Sequence, residues 1–281
     1  MNEAWVAYYS EEEINKIQQI ELRSLDVLCK ICNQLEIKPF LYGGSLLGAV
    51  KYGGFVPWDD DLDMAMMRED YEKFIREGPK LLPPDYEIQH PKINKRTPYN
   101  YIKFRRTDTT LVEYENHKIK MNHGVYFDIY PIDNLPDNYV DYMQQKLAYD
   151  EWVNIFLVRQ NFRLGEGDTT WKRVLRLSIR LCQFSIARLI PLSYIMGKID
   201  KISTRYNCQI TKYQGNLIYS KPVNFFNGVN LVQTQFENRT VYIPSGYRIN
   251  LLNRYGDINR QPPEDKRVGH RPFLLDLGDE K

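Results

Sequence analysis

Apolar positions along this chain recur at two different periods. Ile14, Ile17, Leu25, Leu28, Cys32 and Leu35 lie at helical spacing behind Ser10-Glu11-Glu12-Glu13, a capping box with serine at the N-cap and glutamate three places on. They predict a first helix. Pro39-Phe40-Leu41-Tyr42 reads as a buried strand running into two glycines, and Leu46 to Lys51 as a short helix opened by Ser45. From residue 61 the period becomes two. Asp61, Asp63 and Ala65 share one side of an extended strand, with Leu62, Met64 and Met66 on the other. A helix is expected from Arg68 to about Glu77, before the break at Pro83-Pro84. Strands are expected at 86–89, 99–105 and 110–114. A further one, 124–131, sets Val125, Phe127 and Ile129 on one face and Asp128 between Tyr126 and Tyr130 on the other. After Asp137 the pattern turns helical, over about 138–162 and 170–205. A short strand at 215–220 and a last helix from Ser245 to Tyr255, stopped by Gly256, complete the chain.

This order predicts three regions: an N-terminal helix over 1–36 packed on a core, a mixed strand–helix core over 37–135, and a mainly helical 136–281 forming one compact unit with it. A chain of 281 residues can bury a core of that size. Its 38 basic and 36 acidic residues leave a formal charge of +2, and no basic run is interleaved with stacking aromatics, so nucleic acid is not an expected partner. Neither a signal peptide nor an apolar run of membrane-spanning length is seen, and a cytoplasmic location is expected. Cys29 and Cys32 form a CxxC on the first helix with no second pair, so buried thiols are favoured over zinc. Residues 171–198 contain Lys172, Arg173, Arg176, Arg180, Arg188 and Lys198 but no acid. They suit either peripheral contact with the inner face of an anionic membrane or a core helix whose arginines reach solvent.

The chemistry concentrates in two places. Asp59, Asp60, Asp61 and Asp63 crowd into five positions, and held together by a fold they repel unless a hard cation lies among them. Asp61 and Asp63 project in parallel from one strand, so they are the expected metal ligands and catalytic carboxylates. Asp128, an acid inside an otherwise apolar strand, is expected to be the third. Mg²⁺ is the expected cofactor, with Mn²⁺ as the alternative. Strand, Gly43-Gly44-Ser45 and helix start offer backbone N–H groups to a phosphate, making Gly44 and Ser45 substrate-binding candidates beside Asp59. Lys103 and Arg105 share a strand face and either sit in solvent or hold a diphosphate. The 21 tyrosines suit sugar or choline contacts as well as a core boundary. A P-loop fails because Ala49-Val50 follows Gly48, an EF-hand fails at Met64, and Ser45 does not lie in GxSxG.

Residues 42–50, 54–63 and 68–71 resemble the LicD family of phosphotransferases. So do Lys103-Phe104-Arg105 with Asp108-Thr109-Thr110, the run from Gly124 to Asp133, and Tyr255-Gly256-Asp257 with Pro262-Pro263 and Arg267 to His270. The resemblance spans about 36–272. It implies an α/β (α+β) nucleotidyltransferase-like mixed sheet flanked by helices, with a helical C-terminal half, and it assigns Asp61, Asp63 and Asp128 to metal. It implies a CDP-linked alcohol donor, phosphocholine or a polyol phosphate, and a hydroxyl of a cell-surface glycan, possible also in lipid-linked form, as acceptor. Lys51 and His270 become substrate-side candidates on motif position alone. The expected activity is transfer of phosphocholine from CDP-choline with release of CMP. Alternatives are transfer of a polyol phosphate, transfer of the nucleotide itself, and a non-catalytic glycan- or choline-binding module.

Overall fold

A computed structural model describes residues 9–160, 187–218, 229–263, 267, 269–270 and 272–278. The first helix, α1 (Glu11–Gln34), starts on the expected box: the Ser10 N–H donates to Glu13 Oε2 at 2.7 Å, and the Glu13 N–H donates to Ser10 Oγ at 3.2 Å. β1 (Phe40–Leu41) runs into α2 (Gly43–Lys51), which begins two residues before Ser45. β2 (Asp63–Met67) leads directly into α3 (Arg68–Glu77). Then come β3 (Tyr86–Gln89), β4 (Ile102–Arg106), β5 (Thr110–Glu113) and the long β6 (Tyr126–Leu135).

The second half holds α4 (Tyr139–Arg159), α5 (Leu192–Ser203) and α6 (Tyr247–Tyr255), as the helical periodicity predicts. It also contributes strands that the sequence pattern did not disclose. β8 (Leu231–Phe236) and β9 (Arg239–Pro244) form a hairpin, and β10 (Pro272–Asp276) pairs antiparallel with β5. The short strand β7 is Tyr213–Gly215, earlier than expected; 219 and 220 lie outside the described residues. The last helix begins behind Gly246 without a side-chain cap, so Ser245 does not cap it.

The main sheet runs β3-β4-β6-β2-β1-β9-β8, with β7 added beside β6. Its pairing is mixed: β2 lies parallel to β6 and β1 parallel to β9, whereas the β1–β2, β3–β4, β4–β6 and β8–β9 pairs are antiparallel. This is the α/β sheet flanked by helices that the resemblance implies. Leu25, Leu28 and Cys32 of α1 and Phe74 and Ile75 of α3 join Met64, Met66, Phe104, Phe127 and Ile129 in one buried cluster. Phe104 stacks on Phe127 with ring centroids 5.1 Å apart. A second cluster forms where α4 meets α5 around Tyr149, Phe156, Ile195 and Ile199. The apolar residues of α5 therefore face α4, and Lys198 lies over the rings of Trp152 and Tyr194. The preceding part of the basic segment, 171–186, lies outside the described residues. Among the described residues no helix is long and apolar enough to cross a membrane. Cys29 and Cys32 are free thiols on α1.

Candidate active site

Register brings the charged positions of three strands into line. Asp63 of β2 stands opposite Asp128 of β6, and Lys103 of β4 stands opposite Asp128 from the other side. Register partners project to the same face of a sheet, so Lys103, Asp128 and Asp63 form a row across it. The Lys103 Nζ is 3.1 Å from Asp128 Oδ1 and 3.7 Å from Glu113 Oε1. The Tyr130 hydroxyl donates to Asp128 Oδ2 at 3.0 Å. Asp128 Oδ1 is buried, with the Lys103 ammonium as its partner.

The first turn of α2 faces the end of this row. The Gly44 N–H donates to Asp63 Oδ2 at 3.2 Å, and the Asp63 N–H donates to Ser45 Oγ at 2.7 Å. Ser45 is buried and ties α2 to β2. Asp59 also closes on this turn, since a Cβ on Gly44 would lie 2.7 Å from its Oδ2. The positive end of a helix favours the negative charge gathered here.

Four carboxylates, those of Asp59, Asp61, Asp63 and Asp128, thus act on one another. Burial first, and neighbouring carboxylates second, push Asp59 and Asp63 far above the usual carboxylate range. Burial raises Asp128 as well, opposed by Lys103. A hard cation with oxygen ligands relieves such crowding, and the buried, mutually repelling carboxylates of Asp59, Asp63 and Asp128 fit one. Among the described residues, no three Asp, Glu, His or Cys side chains already stand at ligand spacing. The reason is local: Asp63 turns to the Gly44 amide and Asp128 to Tyr130 and Lys103, so a bound cation would draw them off those partners.

The other candidates separate. Arg105 is fully buried; its Nε donates to Gln89 Oε1 and its Nη1 to the Gly124 carbonyl, both at 2.6 Å. It braces the sheet through these two bonds. Lys103 is 1% exposed, so its expected role at a diphosphate gives way to pairing with Asp128. Lys51 closes the far end of α2, ~12 Å along the axis from Gly43, where its Nζ donates to the Arg260 carbonyl at 3.3 Å. His270 does come to the acidic loop: its backbone N–H donates to Asp60 Oδ1 at 2.8 Å, and Asp60 holds its imidazole well above the ordinary histidine range. With Arg267 over the Trp58 ring, the C-terminal segment folds onto this loop.

One acid escaped the sequence reading. Glu21 keeps phase with Ile14, Ile17 and Leu28 on the apolar stripe of α1, a signal visible in the pattern. It is 1% exposed and neither carboxylate oxygen has an aligned hydrogen bond. Burial first, then Asp61, Asp60 and Asp59, hold it well above the usual range. The folded chain therefore retains a proton that the unfolded chain releases, and stability falls as pH rises past the ordinary glutamate range. Glu21→Gln removes that dependence. It is expected to melt about 2 °C or more above the parent protein at pH 8 but not at pH 4.5, in circular-dichroism scans with chelator present. An equal difference at both values would mean that the carboxyl is already compensated.

Comparison with known proteins follows the same residues. Residues 36–160 match the LicD/FKTN/FKRP nucleotidyltransferase domain. The lipopolysaccharide cholinephosphotransferase LicD of Haemophilus influenzae is 24% identical over 274 residues, which cover 90% of this chain and 94% of that protein. An uncharacterized protein of Rickettsia typhi is 32% identical over 127 residues, 44% of this chain and 38% of its own. One of Rickettsia prowazekii is 31% identical over 128 residues, 43% and 46% respectively.

Proposed function

We propose that this chain, which resembles the LicD family over residues 36–160 and a lipopolysaccharide cholinephosphotransferase over 90% of its length, is a phosphotransferase that moves phosphocholine from CDP-choline to a hydroxyl of a cell-surface glycan precursor. The observation that carries the proposal is the pairing of Asp63 with Asp128 on parallel strands at the N-terminal turn of α2. Asp61, Asp63 and Asp128 would hold Mg²⁺, which when bound neutralises diphosphate oxygens and the departing CMP. Lys103 keeps Asp128 in place from behind through their ion pair. Ser45 fixes the backbone of Asp63 and so aims its carboxylate. Catalysis then rests on position and electrostatics: a bond forms between the acceptor oxygen and the phosphorus, the phosphorus–oxygen bond to CMP breaks, and the hydroxyl proton is released. The likeness to a lipopolysaccharide cholinephosphotransferase supports a glycan acceptor.

CDP-choline labelled in choline and in cytidine, incubated with the protein, Mg²⁺ and acceptor glycan, tests this directly. Choline label is expected on the glycan and cytidine label in CMP. Cytidine label on the acceptor would instead mean nucleotide transfer, and turnover of CDP-ribitol alone would mean a polyol-phosphate transferase. Glycan binding that needs no metal, with no transfer from any CDP-alcohol, would mean a binding module.

A further inference from the structure

The loop that carries Asp59, Asp60 and Asp61 is held by three other parts of the chain. From α1, the Gln18 side-chain amide donates to the Asp59 carbonyl at 2.9 Å. From β6, the Asp128 N–H donates to the Leu62 carbonyl at 3.1 Å. Between these two points the Asp60 carboxylate receives the C-terminal segment. The His270 N–H donates to Asp60 Oδ1 at 2.8 Å, and the His270 Nδ1 stands 3.1 Å from the same oxygen. The side chain of Asp60 is 4% exposed and that of His270 71%, so the anchor is buried while the ring held to it meets solvent.

The approach leaves no room for a side chain at residue 269. A Cβ on Gly269 would lie 2.5 Å from Asp60 Oδ1, 3.1 Å from its Cγ and 3.3 Å from the Trp58 carbonyl oxygen. Gly269 is not among the glycines at positive φ, so this position answers to the contact rather than to backbone conformation. Both flanks of the segment are tied down. The Arg267 Nε donates to the Pro262 carbonyl at 2.8 Å, and its guanidinium lies 5.6 Å from the Trp58 ring. Pro272 opens β10 and pairs with Glu113, the acid 3.7 Å from Lys103. All of these C-terminal residues lie beyond residue 160, where the match to the family domain ends, yet they close on the acidic loop. Asp59 and Asp61 flank the clamped residue, and Asp59 Oδ2 would come 2.7 Å from a Cβ on Gly44 in the first turn of α2. Fixing Asp60 therefore fixes the backbone from which both neighbouring carboxylates project.

We infer that Gly269 and His270 are positioning residues: by clamping Asp60 they hold the carboxylates of Asp59 and Asp61 in place for a divalent cation. This rests on the metal-dependent reading proposed above. Calorimetric titration of the protein with Mn²⁺ alone, beside thermal melting, tests it. The parent protein should bind Mn²⁺. Gly269→Ala should weaken Mn²⁺ binding about tenfold or more, the usual effect of losing a group that orients a metal ligand, at an unchanged melting temperature. His270→Ala removes only an exposed ring; it should weaken binding less, and it carries the test if Gly269→Ala does not fold. His270→Asn, whose side-chain amide can donate to Asp60 in place of Nδ1, should stay closer to the parent than His270→Ala. Mn²⁺ affinity within twofold of the parent in each alanine variant that folds overturns the inference while the metal reading stands. Weaker binding together with a lowered melting temperature in each would make the segment a brace for the fold and overturn it as well. A parent protein that binds no Mn²⁺ removes the metal reading and this inference with it.

Discussion

Asp63→Asn is expected to lower turnover by ~100-fold or more while the melting temperature stays level or rises. Loss of one electrostatic stabiliser at a reacting centre costs ~100- to 1,000-fold, and ~100-fold corresponds to about 2.7 kcal/mol of barrier. The fold tolerates the change because asparagine keeps the shape and can still accept from the Gly44 N–H. It also removes one member of a group whose carboxylates repel. Asp128→Asn should behave differently. It takes a charge from the Lys103 pair and leaves a buried ammonium whose remaining carboxylate partner among the described residues is Glu113 at 3.7 Å. Breaking such a pair costs ~3 kcal/mol where no second partner stands by; with Glu113 remaining, a smaller but measurable loss in melting temperature is expected alongside the fall in turnover. Turnover and thermal melting of the two variants side by side decide the matter. Near-parental turnover in Asp63→Asn would remove the β2 carboxylate from the chemistry.

The contrast between these aspartates shows what the sequence could and could not disclose. The period-two runs at 61–66 and 125–130 were enough to place Asp63 and Asp128 on strands with apolar opposite faces, but β2 starts at Asp63, so Asp61, expected beside it on the same strand, lies in the loop before it. That those strands are neighbours, in parallel and in register, is a property of topology and appears in no local pattern. The same limit explains Lys103 and Arg105. Alternating charge on a strand reads as a solvent or ligand face, but β4 lies between β3 and β6, and the face carrying both cations is covered. The β8–β9 hairpin was hidden for a different reason. Leu231–Phe236 reads Leu-Val-Gln-Thr-Gln-Phe, with few apolar positions, and its turn passes through Glu237 at φ +52° where an Asn-Gly or Asp-Gly pair would have announced it. Lys51 and His270, adjacent to recognisable motifs to the same degree, part company for geometric reasons. One lies at the far end of a nine-residue helix, and the other on a segment that folds back to Asp60.

Gly43→Ala should abolish most activity with only a modest loss of stability, because it acts on the aim of Asp63. Gly43 sits at φ +53°, where a side chain costs ~1–2 kcal/mol. Its new Cβ would also lie 2.0 Å from Asp63 Oδ2, 2.9 Å from Cγ and 3.3 Å from Cβ. Asp63 cannot retreat as a whole: its N–H is held by Ser45 and its strand lies between β1 and β6. The carboxylate must therefore swing off its line with Gly44 and Asp128, and turnover is expected to fall ~100-fold, as for direct removal of its charge. Gly53 supplies the control. It has φ +73° and nothing within 4 Å of a built Cβ, so Gly53→Ala bears the backbone strain alone. Both variants should melt lower by similar amounts, ~2–8 °C for strain of this size, and only the first should lose turnover. If the two retain comparable turnover, the close approach of Gly43 to Asp63 has no part in catalysis, and the N-terminal turn of α2 serves the fold alone.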